Sequence, residues 1–556
     1  MNTLQVLAPA PPPADPHRCE SDMTALRNSQ LFEGSAVLPL SSMEEIRISH
    51  LNFFKKWFLL AHLTYVVLLI LLGTLLFLLF EPRSISFVDA LFISTSAVCN
   101  CGLSTVNVDL WTTKSIVARH VIMFLGGVVF TSAIPSWLRL FLLRHVQTVF
   151  EEHAGDSPQE LRLRMLKRAY AGRLRTTSLL SIATTYMYMG LIMIPSIVLL
   201  YIFNTSGFSF PQILSLVTSS FHGCVFSTME SYVNDKALMS TVTFCCALGF
   251  TAFPVMLRFV FLAEHVVLRA IGHLRLAVSH RWRRARDRAE DEEALVRAPL
   301  LHTPQRALSP GVWDLAFNDM VCSDCPGTYH PFLFLTPETA FLGLAWCFFT
   351  VLLMSPIWLE QWDHALAPFA SSHKVYIAVC QAASTRFAAA TFVPISEFSN
   401  AHIALIILAM FLPALPISTD RVYRKWKQMF RTSLVRLLTS RLFWLFSAML
   451  AILFVEEKQM REKVIGTRFD LMTRTFFEVV SAYSGCGLSL SLPITSTSFI
   501  GDASTFSKVV IVLVLVGGRH RFVDLGIDLG FATLQDASTL VPSHEGELDV
   551  SDPPQR

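Results

Sequence analysis

The chain has 556 residues, 53% of them hydrophobic and only 16% charged, with a formal net charge of +3. A soluble protein of that length needs more polar surface to cover its core, so the composition describes an integral membrane protein. A charge so close to balance gives no basic footprint for nucleic acid, which is not an expected partner.

Spans are placed where Asp, Glu, Lys and Arg vanish for about 20 residues, the helix length that crosses hydrocarbon. Residues 1–50 hold no apolar run, so no cleavable signal is expected, and Pro9 to Pro16 reads as a disordered cytosolic lead. Unit one, 51–143, has spans at Trp57 to Phe80 and Val121 to Leu138. A basic cytosolic loop, 144–176, follows. Unit two, 177–262, opens on a stretch from Thr177 to Met229 with no acidic or basic side chain. As one helix it would be about 80 Å long, far more than a bilayer. It divides at Asn204 to Pro211 into a span from Thr177 to Phe203 and a short re-entrant helix ending near Phe221, with a further span at Ala237 to Leu257. Residues 263–335 carry a mixed charge run with Pro304 and Pro310 and read as a cytosolic basic linker, mostly disordered. Unit three, 336–419, has spans at Thr339 to Leu359 and Phe398 to Thr419; after a loop at 420–441, unit four, 442–530, has them at Leu442 to Val455 and Phe506 to Gly518, before a tail at 531–556.

In every unit a nearly charge-free segment between the two spans runs into a short element of one kind. The four are Asn100-Cys101-Gly102-Leu103-Ser104-Thr105, Phe221-His222-Gly223-Cys224-Val225-Phe226, Ser384-Thr385-Arg386-Phe387-Ala388-Ala389 and Ser481-Ala482-Tyr483-Ser484-Gly485-Cys486-Gly487-Leu488-Ser489. The expected architecture is all-α: eight transmembrane helices and four re-entrant pore loops, arranged as a fourfold pseudo-repeat around one central pore. Backbone carbonyls ringed about that axis can replace the water shell of a monovalent cation. Irregular backbone at membrane depth is tolerated where protein or water shelters it.

Lys and Arg gather in 144–176, at Arg281 to Arg288 and in 420–441, which puts those loops and both termini in the cytosol. The sequon at Asn204 then faces outward. Lys458, Arg461, Lys463, Arg468 and Arg474 disagree, because they fall on the outer side. Of the eleven cysteines, most lie in apolar segments or filter candidates, and no disulfide framework is indicated. Cys322 and Cys325 form a lone CxxC with His330 as the one near helper, too few ligands for zinc, so no metal or cofactor is expected beyond a transported ion.

Five motifs, in order, carry a family resemblance over roughly Trp57 to Gly530. Met123-Phe-Leu-Gly-Gly-Val-Val-Phe-Thr-Ser132 and Leu248-Gly-Phe-Thr-Ala-Phe-Pro-Val-Met-Leu-Arg258 are similar to the second helices of plant HKT proteins; Gln381-Ala-Ala-Ser-Thr-Arg386, Ser481-Ala-Tyr-Ser-Gly-Cys-Gly-Leu-Ser-Leu490 and Gly518-Arg-His-Arg521 resemble fungal Trk proteins. The chain thus resembles the Trk/Ktr/HKT superfamily of potassium and sodium transporters. The resemblance implies a selectivity filter at Cys101, Gly102, Cys224, Val225, Ala388, Ala389, Cys486 and Gly487, with a glycine from each unit at the narrowest point. Gly102 and Gly487 keep that glycine; Val225 and Ala389 do not. A β-branched residue does not take positive φ readily. Either Val225 is extended, the preferred reading, or the register slips and Gly223 takes the role.

Gly102 matches the potassium-permeable kind, while the two lost glycines loosen selectivity, so the resemblance implies K⁺ as cargo with Na⁺ also passing. It further implies a multi-pass protein of the plasma membrane, in contact with the lipid bilayer and paired as a homodimer with one pore per chain. Three cations are expected to support or gate the pore. Lys508 stands where relatives place a basic residue near the conduction path, or it snorkels to the headgroups; Arg519 pairs across to another unit or marks the helix end; Arg386 holds the filter through Glu397, Asp363 or Glu478. His222, beside the filter, is the one histidine singled out. Coupled symport with Na⁺ or H⁺ fits the same residues. A membrane-embedded enzyme would need converging nucleophile and base, and neither HExxH nor GxSxG occurs.

Overall fold

The structure is a computed structural model, and it describes residues 42–81, 85–141, 158–203, 206–225, 229–270, 312–321, 329–334, 336–364, 366–386, 390–411, 441–492 and 497–520. Among these residues there are helices and no strands. The lead at 1–41, the sequon residue Asn204, Arg281 to Arg288, Cys322 and Cys325, Ala388 and Ala389, the loop at 420–440 and the tail lie outside the described residues.

Each unit is a leading helix, a short helix and a trailing helix. In unit one these are Ser42–Phe80, Phe87–Cys99 and Thr113–Gly126, the last continued past Gly127 by Val128–Ser132. Unit two has Pro158–Ile202, Phe210–Phe221 and Lys236–Cys246, with a π turn at Ala247–Thr251 and an 87° bend into Phe253–Ala270. Unit three has Thr336–Glu360, Ser371–Thr385 and Asn400–Phe411, and unit four Arg441–Val464, Leu471–Ser484 and Thr505–Arg519.

The short helices of units one, two and four begin with side-chain caps. Ser86 Oγ accepts from Asp89 N at 3.1 Å, Asp470 Oδ1 from Thr473 N at 3.2 Å, and Ser209 and Gln212 form a reciprocal box at 2.8 Å. With 12 to 15 residues each, they reach about 20 Å, too short for the hydrocarbon of a bilayer. Their C-terminal ends are therefore buried in protein.

The units close on one another. The trailing helix of unit one packs on the short helix of unit two, that of unit two on the short helix of unit three, that of unit three on that of unit four, and that of unit four on that of unit one. Close approach of trailing to short helix within a unit rests on glycine. A Cβ at Gly126, Gly249 or Gly518 would collide with the carbonyl oxygen of Val98, Phe221 or Tyr483, three matching positions one turn before the filter element. At the other end, glutamates brace helix to helix. Glu81 accepts from Thr112 N at 2.7 Å and Ser115 Oγ at 2.8 Å, Glu456 from Ser504 N at 2.8 Å and Ser507 Oγ at 2.7 Å, and Glu360 from Ser399 Oγ at 2.7 Å.

Several expected boundaries move. Among the described residues four helices are long and apolar enough to span, or five if the bent pair of unit two counts as one, so a count of eight is not reached by length and composition. The trailing helix of unit one begins at Thr113 instead of Val121, because Lys114 and Arg119 lie inside it, and a charge-free window discards them. In unit two the leading helix continues back to Pro158 through the basic loop, and the trailing helix is bent where one straight span was expected. The trailing helix of unit three is described only to Phe411, and the leading helix of unit four runs to Val464.

Of the expected linker, residues 263–270, 312–321 and 329–334 are among those described. Val312–Val321 is helical and packs on the leading helix of unit two. Arg258 fastens the linker's end, donating to Phe334 O, to Val321 O at 2.9 Å and to Thr336 Oγ at 2.7 Å. Three of the five cations that broke the charge rule in unit four are also employed: Lys463 reaches Asp502 O at 3.3 Å, Arg468 reaches Glu397 O at 2.7 Å, and Arg474 reaches Phe469 O at 3.1 Å, Ser491 O at 2.9 Å and Leu490 O. They are hydrogen-bond donors to loop carbonyls, which explains why topology bookkeeping misreads them.

Candidate functional site

The filter elements of units one, two and four start from the same helix ending. Asn100, Gly223 and Gly485 are left-handed, with φ of 56°, 67° and 70°. Their amides bond to Ala97 O, Ser220 O and Ala482 O at 3.2, 3.0 and 3.2 Å, and the next amides, of Cys101, Cys224 and Cys486, reach back to Ser96 O, Ser219 O and Ser481 O at 2.9, 2.9 and 3.0 Å. These are the paired bonds of a Schellman cap, which turns the chain sharply off the helix axis. Three matching serines and three matching cysteines thus occupy identical stations.

Beyond the cysteine the units part. Gly102 and Gly487 again have positive φ, 95° and 81°, whereas Val225 does not, Asn100 being the one non-glycine with positive φ among the described residues. Gly223 shares the left-handed cap geometry of Asn100 and Gly485. In units one and four the handedness changes sign around the cysteine, an alternation that lets successive carbonyls face one side of the strand. Ala388 and Ala389 lie outside the described residues. Unit three contributes instead Gln381, whose Oε1 accepts from Phe392 N at 2.6 Å and Val393 N at 3.1 Å. Its counterpart in unit four is Glu478, accepting from Ser489 Oγ at 2.7 Å and Ile500 N at 3.3 Å.

Asn100 ties units one and two together, since its Nδ2 donates to His222 O at 3.1 Å. Its Oδ1 is buried without a hydrogen-bond partner. The His222 ring is also buried: Nδ1 lies 2.8 Å from Thr218 O, which fixes the proton there, and the bare Nε2 faces Gly127. A small cavity beneath the caps is lined by Cys99, Asn100, Phe250, Ser484, Gly485, Gly518 and Arg519. Its volume of about 20 Å³ suits one water-sized occupant.

The three singled-out cations are all engaged. Lys508 Nζ is 2.7 Å from Asp89 Oδ1 in the first turn of unit one's short helix, a half-buried ion pair across units. Arg519 also crosses to unit one, bonding Gly126 O and, at 3.1 Å, Thr131 Oγ1. Arg386 donates from Nε to Ala409 O at 3.3 Å and lies 4.6 Å over the Phe349 ring. Sequence reasoning missed the cap role of Asn100, the three serines and the glutamate braces. The serine five positions before each cysteine was a readable signal for the caps; the braces join residues too far apart in sequence to announce themselves.

The description "TrkH: Cation transport protein" matches residues 425–539, which include all of unit four. Potassium transport protein 1 of Schizosaccharomyces pombe is 27% identical over 38% of this chain, and the match spans 27% of that relative. The low-affinity potassium transport protein of Saccharomyces cerevisiae is 37% identical over 17% of this chain and 10% of its own length. The chain thus spans about a quarter or less of the length of these two relatives. The crystal structure of the potassium transporter TrkH from Vibrio parahaemolyticus aligns with 87% of this chain and 85% of its own at 15% identity, with a TM-score of 0.42.

A multi-pass membrane protein, helical and without strands in its described residues, with the same helix cap in three of its units, is the class that the fold and site define. Its last unit is similar to the cation transport family, and parts of the chain are similar to fungal potassium transport proteins.

Proposed function

We propose that the chain carries potassium, with sodium as a second and poorer cargo, across the plasma membrane through one passage per chain. Four units, giving eight spanning helices and four re-entrant pore loops, surround that passage, and two chains pair within the bilayer. The observation that carries this reading is the closed order of helix contacts, unit one to two to three to four and back to one, combined with the same cap in three of the units. A ring of equivalent caps brings equivalent strands to a common axis. There Cys101, Gly102, Cys224, Val225, Cys486 and Gly487, with Ala388 and Ala389 of unit three, offer backbone carbonyls to a cation that has shed water.

Val225 costs the ring one glycine. Without the positive φ of Gly102 and Gly487, its carbonyl is turned differently from theirs, which lowers the number of well-aimed ligands and with it the preference for K⁺. Lys508 and Arg519 act by holding units four and one in register, while Arg386 ties the short helix of unit three to its own trailing helix. The test is growth of a potassium-uptake-deficient yeast strain on limiting K⁺ when it expresses this chain. Growth restored by the wild type and lost with Gly102→Val supports the reading; absence of rescue by a chain that reaches the plasma membrane refutes it.

A further inference from the structure

The cysteine after each cap forms a second repeat laid over the first. Cys101, Cys224 and Cys486 are fully buried, and each thiol lies against a backbone carbonyl of another unit. Cys224 Sγ is 3.9 Å from Ser96 O, Cys101 Sγ is 3.7 Å from Ser481 O, and Cys486 Sγ is 3.1 Å from Thr385 O. The direction never reverses: unit two reaches unit one, unit one reaches unit four, unit four reaches unit three.

Two of these carbonyls are already in use. Ser96 O receives the amide of Cys101 at 2.9 Å, and Ser481 O the amide of Cys486 at 3.0 Å. A carbonyl has two lone pairs, so it can take an amide from its own filter strand and a thiol from the next. The result is a chain of shared acceptors behind the filter strands. Its length sets how far apart those strands stand.

We infer that Cys101, Cys224 and Cys486 are positioning residues for ion selection, a thiol belt that fixes the spacing of the filter strands from behind. The inference rests on the transport reading above. Sulfur suits the task because its longer bonds span the gap between units while its soft, weakly polar surface tolerates full burial. No group of three His, Cys, Asp or Glu suited to a metal occurs among the described residues, so the thiols bind backbone and not a resident ion. In the sequence the residue five positions after Ser384 is Ala389, which has no thiol.

The experiment uses the full chain in oocytes, with surface labelling and reversal potentials recorded as external K⁺ is replaced by Na⁺. Cys101→Ala, Cys224→Ala and Cys486→Ala are each expected to raise relative Na⁺ permeability by about two- to threefold, the loss of one weak bond. The serine variants keep a donor and stay closer to wild type. Cys245→Ala, a buried thiol bonded instead to Ser196 Oγ, leaves the ratio unchanged. Ala389→Cys supplies the missing thiol and lowers relative Na⁺ permeability, and it carries the test should the alanine variants fail to reach the surface. Unmoved ratios, or serine variants that behave as alanine, overturn the belt. A wild-type chain at the surface that passes neither ion overturns the transport reading itself.

Discussion

Adjacent glycines in the last helix should respond to the same substitution with opposite sign. Gly518 is buried, and a Cβ added there would run into the backbone carbonyl of Tyr483, while Gly517 has nothing within 4 Å of the same added atom. Ala is favoured over Gly inside a helix by about 0.8–1 kcal/mol. At Gly517 that gain stands alone, so Gly517→Ala should stabilise the protein by up to about 1 kcal/mol. At Gly518 the methyl meets backbone, which cannot rotate away, and overpacking costs about 1–3 kcal/mol. The net for Gly518→Ala is a loss of about 0–2 kcal/mol, together with a shift of the turn that precedes Gly485 and Cys486. Thermal melts in detergent and K⁺ uptake at matched surface amounts measure the two parts. Equal melting shifts for the two variants, or full uptake by Gly518→Ala with raised stability, would refute the claim that helix approach at this glycine sets the filter.

Other positions test the braces and the inter-unit ties. Glu456 is almost wholly buried and satisfies Ser504 N and Ser507 Oγ; Glu456→Ala leaves those donors bare and should cost about 1–3 kcal/mol, with Glu456→Gln recovering most of it, read as surface yield and melting temperature. For the half-buried Lys508 and Asp89 pair, a double-mutant cycle of Lys508→Met and Asp89→Asn should give a coupling of about 1 kcal/mol; a coupling near zero with a large rise in current for Lys508→Met alone would instead place the ammonium beside the conducting ions.

The fold was legible where charge and period agree. The short helices of units one, two and four, the break at Asn204 to Pro211 and the filter elements all follow from apolar runs that end in small polar residues. It was illegible where a charge sits inside a helix for a reason of its own. Arg119 and Lys114 hid the start of a span, and Lys463, Arg468 and Arg474 mimicked a cytosolic loop while serving as donors to carbonyls. The bend in unit two was hidden for a different reason. Leu248 O, inside its π turn, accepts from Tyr188 OH at 2.7 Å, and Thr251 Oγ1 accepts from Trp346 Nε1 at 2.9 Å, two partners that no local pattern announces.

Asn100 shows how a repeat can be exact in geometry and still divided in labour. Units two and four put glycine at the left-handed cap position, where a missing Cβ removes the strain. Unit one puts asparagine there, a residue that tolerates this backbone better than other side chains do. The side chain then supplies what a glycine cannot, a donor to His222 O that joins two neighbouring caps. Asn100→Gly should therefore keep the cap and lose the tie, whereas Asn100→Val should lose both, because a β-branched residue strains the left-handed region. Melting temperature should fall modestly for the first and steeply for the second. Relative Na⁺ permeability should rise in both, since the junction of units one and two is loosened either way; a glycine variant with wild-type permeability would show that the amide merely fills space.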